Sequence, residues 1–208
     1  MAWEKTALDL AEAAGISVPG RRLVGIEGNP VLLLDRFDRD EGRRVGYISA
    51  TTLLEGRDGQ PRDYTEIAEA LPENSSAPAD DLRQLWRRIA FSIAIHNTDD
   101  HLRNHGFLRH SSGWKLSPAF DINPNPDLAG QRVTSIGGAS TPADEVSALL
   151  LYADSFGLTK AQARVVLREV AEATEDRQSV ARRNGISTAE IARFGTAFDQ
   201  AISAVSPI

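Results

Sequence analysis

The chain has 208 residues, 41% hydrophobic and 25% charged, with no cysteine and a formal net charge of −6. That length buries a sizeable core, and the lack of cysteine removes disulfides, thiolate metal sites and cysteine nucleophiles. No apolar run is long enough to span a membrane, MAWEKTALDLAEAAG does not read as a secretory signal, and an acidic chain is a poor general binder of nucleic acid, so a cytoplasmic protein is expected.

The pattern from Trp3 to about Ala14 predicts a helix that stops at Gly15. RRLVGIEGNPVLLLDRF predicts a β-hairpin, with Leu23, Val24 and Ile26 on one strand, Val31 to Leu34 on the other, and a turn through Gly28, Asn29 and Pro30. A second extended piece is expected over Val45 to Ile48, and a loop punctuated by GRDGQP over Glu55 to Arg62. Tyr64 to Leu71 reads as a short helix, and ENSSAPAD as a flexible connection ending in an N-cap aspartate. From Asp81 the signal strengthens. Leu82, Leu85, Trp86, Ile89 and Ile93 form one helical stripe. Phe107-Leu108 and Trp114 to Leu116 flank a turn and predict a hairpin. SPAFDINPNPDLAG is rich in turn formers. Helices are expected over about Thr141–Ala153, Thr159–Glu175, Arg177–Asn184 and Ser187–Ala204, with Gly157 and Gly185 as breaks and Val165, Val166, Val170, Ile191, Phe194 and Phe198 in the core. No internal repeat interrupts this, so one mixed domain, mostly helical, is the economical reading.

All four histidines fall in HNTDDHLRNHGFLRH, residues 96 to 110. On a helix, His101 and His105 would share a face, as zinc sites often require. Asn97, Thr98, Asp99 and Asp100 form helices poorly, however, and Gly106 follows at once, so a loop after a helix is expected and the helical spacing loses force. A histidine-ligated metal hydrolase stays open as one reading. Asp99 and Asn104, five residues apart, offer another. Kinase catalytic loops use that interval to aim a carboxylate at the substrate hydroxyl and an amide at Mg²⁺. Asp121, after a second hairpin and Ala119-Phe120, lies where a second metal-binding aspartate would follow. Mg²⁺ prefers such hard oxygen ligands and completes its shell with water and phosphates.

The strings NTDDHLRNHGFL and LSPAFDINPNPD resemble the catalytic loop and metal-binding motif of HipA-like serine/threonine kinases, the toxins of bacterial toxin–antitoxin systems. LAEAAGISVPGRRL and LLLDRFDR are similar to the same family, in the same order. The resemblance implies an α+β, predominantly helical fold: a kinase-like C-terminal lobe covering 1–208. Residues 1–50 would be a residual N-lobe helix, hairpin and hinge, and 51–208 the helical lobe, with catalytic loop 97–105 and metal motif 117–123. It makes Asp99 the catalytic base and Asn104 and Asp121 the Mg²⁺ ligands. Asp35 and Phe37 would face adenine through their backbones, with Asp38 nearer the ribose. ATP and Mg²⁺ would be the cofactors, a protein hydroxyl the acceptor, and a small HipB-like DNA-binding antitoxin the partner, bringing nucleic acid in only indirectly.

The sequence departs from eukaryotic-type kinases, since Asn97-Thr98 precede Asp99 and Ile122-Asn123 follow Asp121. The family also places a glycine-rich loop and an ATP-binding lysine upstream. Lys5, Lys115 and Lys160 are the only lysines, and none sits on an early strand. Glu4 resembles the helix glutamate that pairs with that lysine. The expectation is therefore a chain lacking its N-terminal phosphate-loop lobe, with a second reading as a non-catalytic module that binds the antitoxin or a separate N-terminal chain. Trp86 is expected in the core, Asp100 is given no catalytic role, and Arg177 to Arg183 is read as a solvated face.

Overall fold

The computed structural model describes residues 1–57, 59–139 and 141–206, without the side chains of residues 142 and 143; Asp58 of the expected GRDGQP loop lies outside the described residues. Helix α1 (Ala2–Ala13) leads into the hairpin β1 (Arg21–Ile26) and β2 (Asn29–Leu34). Its turn is tighter than expected: Ile26 pairs with Asn29, leaving Glu27 and Gly28 as the two turn residues. Both have positive φ, the geometry that matches strand twist, and this leaves Asn29 and Pro30 free to join the strand. The same turn recurs at Glu41-Gly42, joining the short strands β3 (Arg39–Asp40) and β4 (Arg43–Arg44), a hairpin the sequence pattern did not suggest.

Strand β5 (Tyr47–Ser49) pairs with β7 (Gly106–His110), which pairs in turn with β8 (Gly113–Leu116) in one antiparallel sheet. Between them lie α2 (Ala50–Leu53), β6 (Arg62–Asp63), α3 (Tyr64–Asn74) and α4 (Pro78–Ala94). Helix α3 runs three residues beyond the expected Leu71 and carries Pro72 within it. Helix α4 starts at Pro78, so Asp80 is not its N-cap. The expected cap gives way to a tertiary contact at the next residue: Asp81 is buried and accepts hydrogen bonds from Ser75 Oγ and the Leu116 amide.

After β8 an irregular segment over residues 117–133 leads to β9 (Thr134–Ser135), which pairs in parallel with β6, and then to the helices α5 (Pro142–Leu151), α6 (Lys160–Glu175), α7 (Arg177–Arg183) and α8 (Thr188–Val205). Helix α4 is the central member. Its predicted stripe is buried, with Trp86 fully enclosed and donating its indole N–H to the Leu149 carbonyl. Val165 departs from the expected core, being 41% exposed on the outer face of α6. The α+β, mainly helical class stands.

One hydrophobic cluster extends from Ala7 to Val205. Helix α1 is fastened to the C-terminal helices by Trp3, which stacks on Phe194 at 4.2 Å, and by Asn184, which donates to Thr6 and Asp9. Arg87 from α4 donates to the Ala14 carbonyl at the other end of α1. These contacts fix α1 in place, and Ser17, just after it, accepts from the Ala119 amide.

Candidate active site

Helix α4 ends under the loop. Its closing turn is made by His96 N donating to Ile93 O and Asn97 N to Ser92 O, with His96 at φ 53° where glycine usually sits. That conformation costs on the order of 1 kcal/mol for a non-glycine residue. The surroundings hold it in place. His96 Nδ1 meets the Asn125 carbonyl at 2.8 Å, and Asn125 N donates back to the His96 carbonyl. Asn125 Nδ2 also donates to Thr98 Oγ1 at 2.7 Å. The turn-rich segment after β8 is thus bound edge to edge against the loop after α4.

Asp99 and Asp100 part company at this point. Asp99 is exposed, whereas Asp100 is only 6% exposed. Asp100 accepts from Tyr64 Oη at 2.6 Å and meets His105 Nε2 at 3.0 Å, while Tyr64 and His105 pack edge to face. Burial alone would raise the Asp100 pKa, but His105, the Tyr64 hydroxyl and Arg132 hold it well below the ordinary carboxylate value. Burial beside that charge pushes the Tyr64 phenol up. Burial draws Arg88 down to about 10 against the pull of Asp81 and Asp100. Arg132 completes this floor, donating to Glu145, to Ser92 Oγ and to the Asn97 carbonyl at 2.7–2.9 Å. The sequence reading missed this network. Its one signal was the second aspartate beside Asp99, and its partners are remote in sequence.

Above the floor, a 3₁₀ turn over Leu102–Asn104 brings Asn104 back under Asp99. Asn104 Nδ2 lies 3.5 Å from the backbone carbonyls of both Asp99 and Asp121. That one amide joins the two motifs singled out in the sequence and leaves its own carbonyl oxygen available. Asp121 is exposed and has a φ of 54°, a strained position for a non-glycine residue. Glu4, on α1, faces it: burial raises the Glu4 pKa, and the Asp121 charge raises it further. Glu4 has no hydrogen bond or ion pair among the described residues. Two carboxylates and an amide oxygen therefore come together, with the N-terminal ammonium acting on Glu4 in the opposite sense to Asp121, and they form a donor set of hard oxygens suited to Mg²⁺.

Beside this cluster opens a cleft of about 290 Å³ lined by residues 34–38, Tyr47 and Phe120. Phe37 stands 5.5 Å from Phe120 and 6.3 Å from Tyr47, ring centre to ring centre. The segment from Asp35 to Asp38 and the residue before Asp121 thus share one apolar wall. Asp35 N donates to the Gly20 carbonyl. Asp38 is engaged by Arg36 and Arg39, whose contacts, with that of Arg36 foremost, lower its pKa to about 2.

The four histidines do not converge. His96 serves the helix end, His105 serves Asp100, His110 is exposed beside Ser111, and His101 borders a separate cleft. Among the described residues no three histidine, aspartate or glutamate side chains group to hold a metal.

The sequence profile of the HipA-like C-terminal domain family matches residues 1–178. The chain is 26% identical over 155 residues to "Putative kinase Y4mE" of Sinorhizobium fredii, covering 68% of this chain and 37% of that protein. It is 24% identical over 144 residues to a "Putative kinase" of Haemophilus influenzae, covering 60% of this chain and 42% of that one. It therefore spans less than half the length of either. Among solved structures it resembles a chain of the Shewanella oneidensis MR-1 toxin–antitoxin complex of HipA, HipB and operator DNA. That match has a TM-score of 0.77 at 17% identity, over 98% of this chain and 54% of that one. The Helicobacter pylori proinflammatory kinase CtkA matches with a TM-score of 0.72 at 14% identity, over 98% and 81% of the two chains.

Proposed function

This chain belongs to the HipA-like C-terminal domain family, and from that premise we propose that it carries the catalytic loop of an ATP- and Mg²⁺-dependent serine/threonine protein kinase. The observation that carries the reading is the Asn104 amide, which ties the backbone of Asp99 to that of Asp121. Base and metal ligands of a phosphoryl transferase must be held together in this way, because positioning and electrostatics supply most of that catalysis.

In this account the exposed Asp99 carboxylate orients the acceptor hydroxyl and takes its proton. Asn104, through its free oxygen, and Asp121 hold the metal, and Glu4 adds negative charge behind them. When bound, Mg²⁺ neutralises charge on the transferring phosphate. The adenine packs against the Phe37–Phe120 wall, with the Asp35 and Phe37 backbones along its edge. Asp38, occupied by two arginines, shapes the cleft mouth on the ribose side. Asp100 touches no substrate; it acts as a positioning residue beneath the loop. The HipB and DNA in the related Shewanella complex support a small DNA-binding antitoxin as partner, with nucleic acid contacted through it, and a toxin role.

Calorimetric titration of the full natural chain with a non-hydrolysable ATP analogue tests the reading. Binding should require Mg²⁺ and weaken on Asp121→Asn and on Phe120→Ala. Binding indifferent to Mg²⁺ and to both substitutions would overturn it.

A further inference from the structure

A second cleft, of about 320 Å³, opens on another side of the catalytic turn. It shares no lining residue with the aromatic cleft. Its walls include Arg57, Arg62, His101, Arg103, Thr51 and Thr134, and its described lining contains no carboxylate. In a chain of net charge −6, three guanidinium groups border one concavity; Arg62 and Arg103 have interactions of their own, which leaves Arg57 as the uncompensated charge among the described lining residues. The cations come from two parts of the chain. Arg57 belongs to the loop after α2, Arg62 to β6, whose pairing with β9 sets it opposite Thr134, and Arg103 to the 3₁₀ turn. Gly56 leaves the room the Arg62 guanidinium occupies, since a Cβ there would stand 2.7 Å from Nη2.

Glu66 is paired with Arg62, but the Arg57 side chain has no ion-pair partner among the described residues. The walls are also under-satisfied. Arg62 Nε and His101 Nδ1 are both buried and have no hydrogen-bond partner among the described residues. Orphaned buried nitrogens are rare, and they mark places that a bound water, ion or ligand completes.

Position limits the ligand. His101 and Arg103 lie in the chain between Asp99 and Asn104, so an anion in this cleft would sit close to the acceptor hydroxyl. The volume suits a side chain rather than a strand of nucleic acid. The described lining has no phenylalanine, tyrosine or tryptophan ring for a base to stack on, as single-stranded nucleic acid sites use.

We infer that this basic cleft binds an anionic side chain of the protein substrate, a carboxylate or a phosphate, located near the accepting serine or threonine. The inference rests on the kinase reading above and adds a rule of substrate choice to it. An extended peptide covers roughly 10 Å in three residues, so the anion should fall within about three residues of the hydroxyl.

Fluorescence anisotropy with three labelled serine peptides tests this: one with neutral flanks, one with glutamate flanks and one with a neighbouring phosphoserine. The full natural chain should bind the anionic peptides about tenfold or more tightly than the neutral one, as charge-assisted hydrogen bonds provide. Arg57→Glu should abolish that preference while leaving affinity for the neutral peptide and the ATP analogue unchanged. A clear advantage of phosphoserine over glutamate identifies phosphate as the ligand; parity identifies carboxylate. Equal binding of all three, a preference that survives Arg57→Glu, or tighter binding of a short RNA of matched charge would overturn the inference. Loss of Mg-nucleotide binding with the charge preference intact would instead defeat the kinase reading and leave the anion cleft standing.

Discussion

Asp99 and Asp100 are adjacent carboxylates of one loop, and they occupy opposite environments. The mouth of the site, with Asp99, Asp121 and Glu4, gathers negative charge, and none of the three carboxylates has an ion pair among the described residues. The floor, with Asp100, Tyr64, His105, Arg88, Arg132 and Glu145, gathers charge in the interior, and most of its polar atoms have partners. Buried charge must be paired because removing it from water is costly, whereas exposed charge can wait for a ligand. The contrast separates a region whose charges are paired in the interior from one whose charges stand at the surface.

The largest expected effect comes from breaking the floor. Asp100→Ala strips His105 and Tyr64 of their acceptor and leaves Arg88 and Arg132 less compensated, which should cost about 3–5 kcal/mol in urea denaturation. Asp99→Ala, at the exposed mouth, should change stability by less than about 0.5 kcal/mol. Equal losses from the two substitutions would erase the distinction. Next in size, Phe37→Ala or Phe120→Ala should weaken nucleotide-analogue binding about tenfold, since each removes an aromatic face of the cleft.

Acid unfolding separates the two regions again, with opposite signs. Asp100 has a folded-state pKa below its unfolded value near 3.9, so its contribution to stability is complete above that value. That contribution is lost as pH falls through the lower folded value, and Asp100→Asn should flatten the acid limb of a stability–pH curve. Glu4 has its pKa raised, so any stability linked to its protonation is present below the unfolded value and disappears as pH rises through the folded one. Glu4→Gln should therefore stabilise the metal-free chain near neutral pH, by less than about 1 kcal/mol because Glu4 is only partly buried. Excess Mg²⁺ with nucleotide should remove that gain by binding the wild-type carboxylate cluster.

Local pattern carried much of the fold in advance. The α4 stripe was legible because burial on one face writes a 3.6-residue period, and Gly157 and Gly185 were legible as breaks, both having positive φ. The β1–β2 turn starts one residue earlier and ends two earlier than expected because Glu27 takes the left-handed conformation, which side-chain propensity does not announce. The start of α4 was misplaced because Asp81 answers to Ser75 and Leu116 rather than to its own helix end.

At the site, the interval from Asp99 to Asn104 and the later Asp121 could be read from spacing. That Asn104 touches both backbones could not, since the contact depends on how the segment after β8 folds back against His96. Glu4 was legible only through resemblance, and its approach to Asp121 depends on the packing of α1 against α7 and α8. The basic cleft was only half legible, because Arg57 and Arg62 share the loop over Glu55 to Arg62 while Arg103 reaches them from the 3₁₀ turn.

The most direct test of the central claim is transfer of labelled γ-phosphate from Mg-ATP to a serine- or threonine-bearing protein, measured on the full natural chain and its Asp99→Asn variant. The account predicts incorporation that requires Mg²⁺ and falls at least about 100-fold in the variant, with nucleotide-analogue binding retained. Incorporation at the wild-type rate by Asp99→Asn would contradict it.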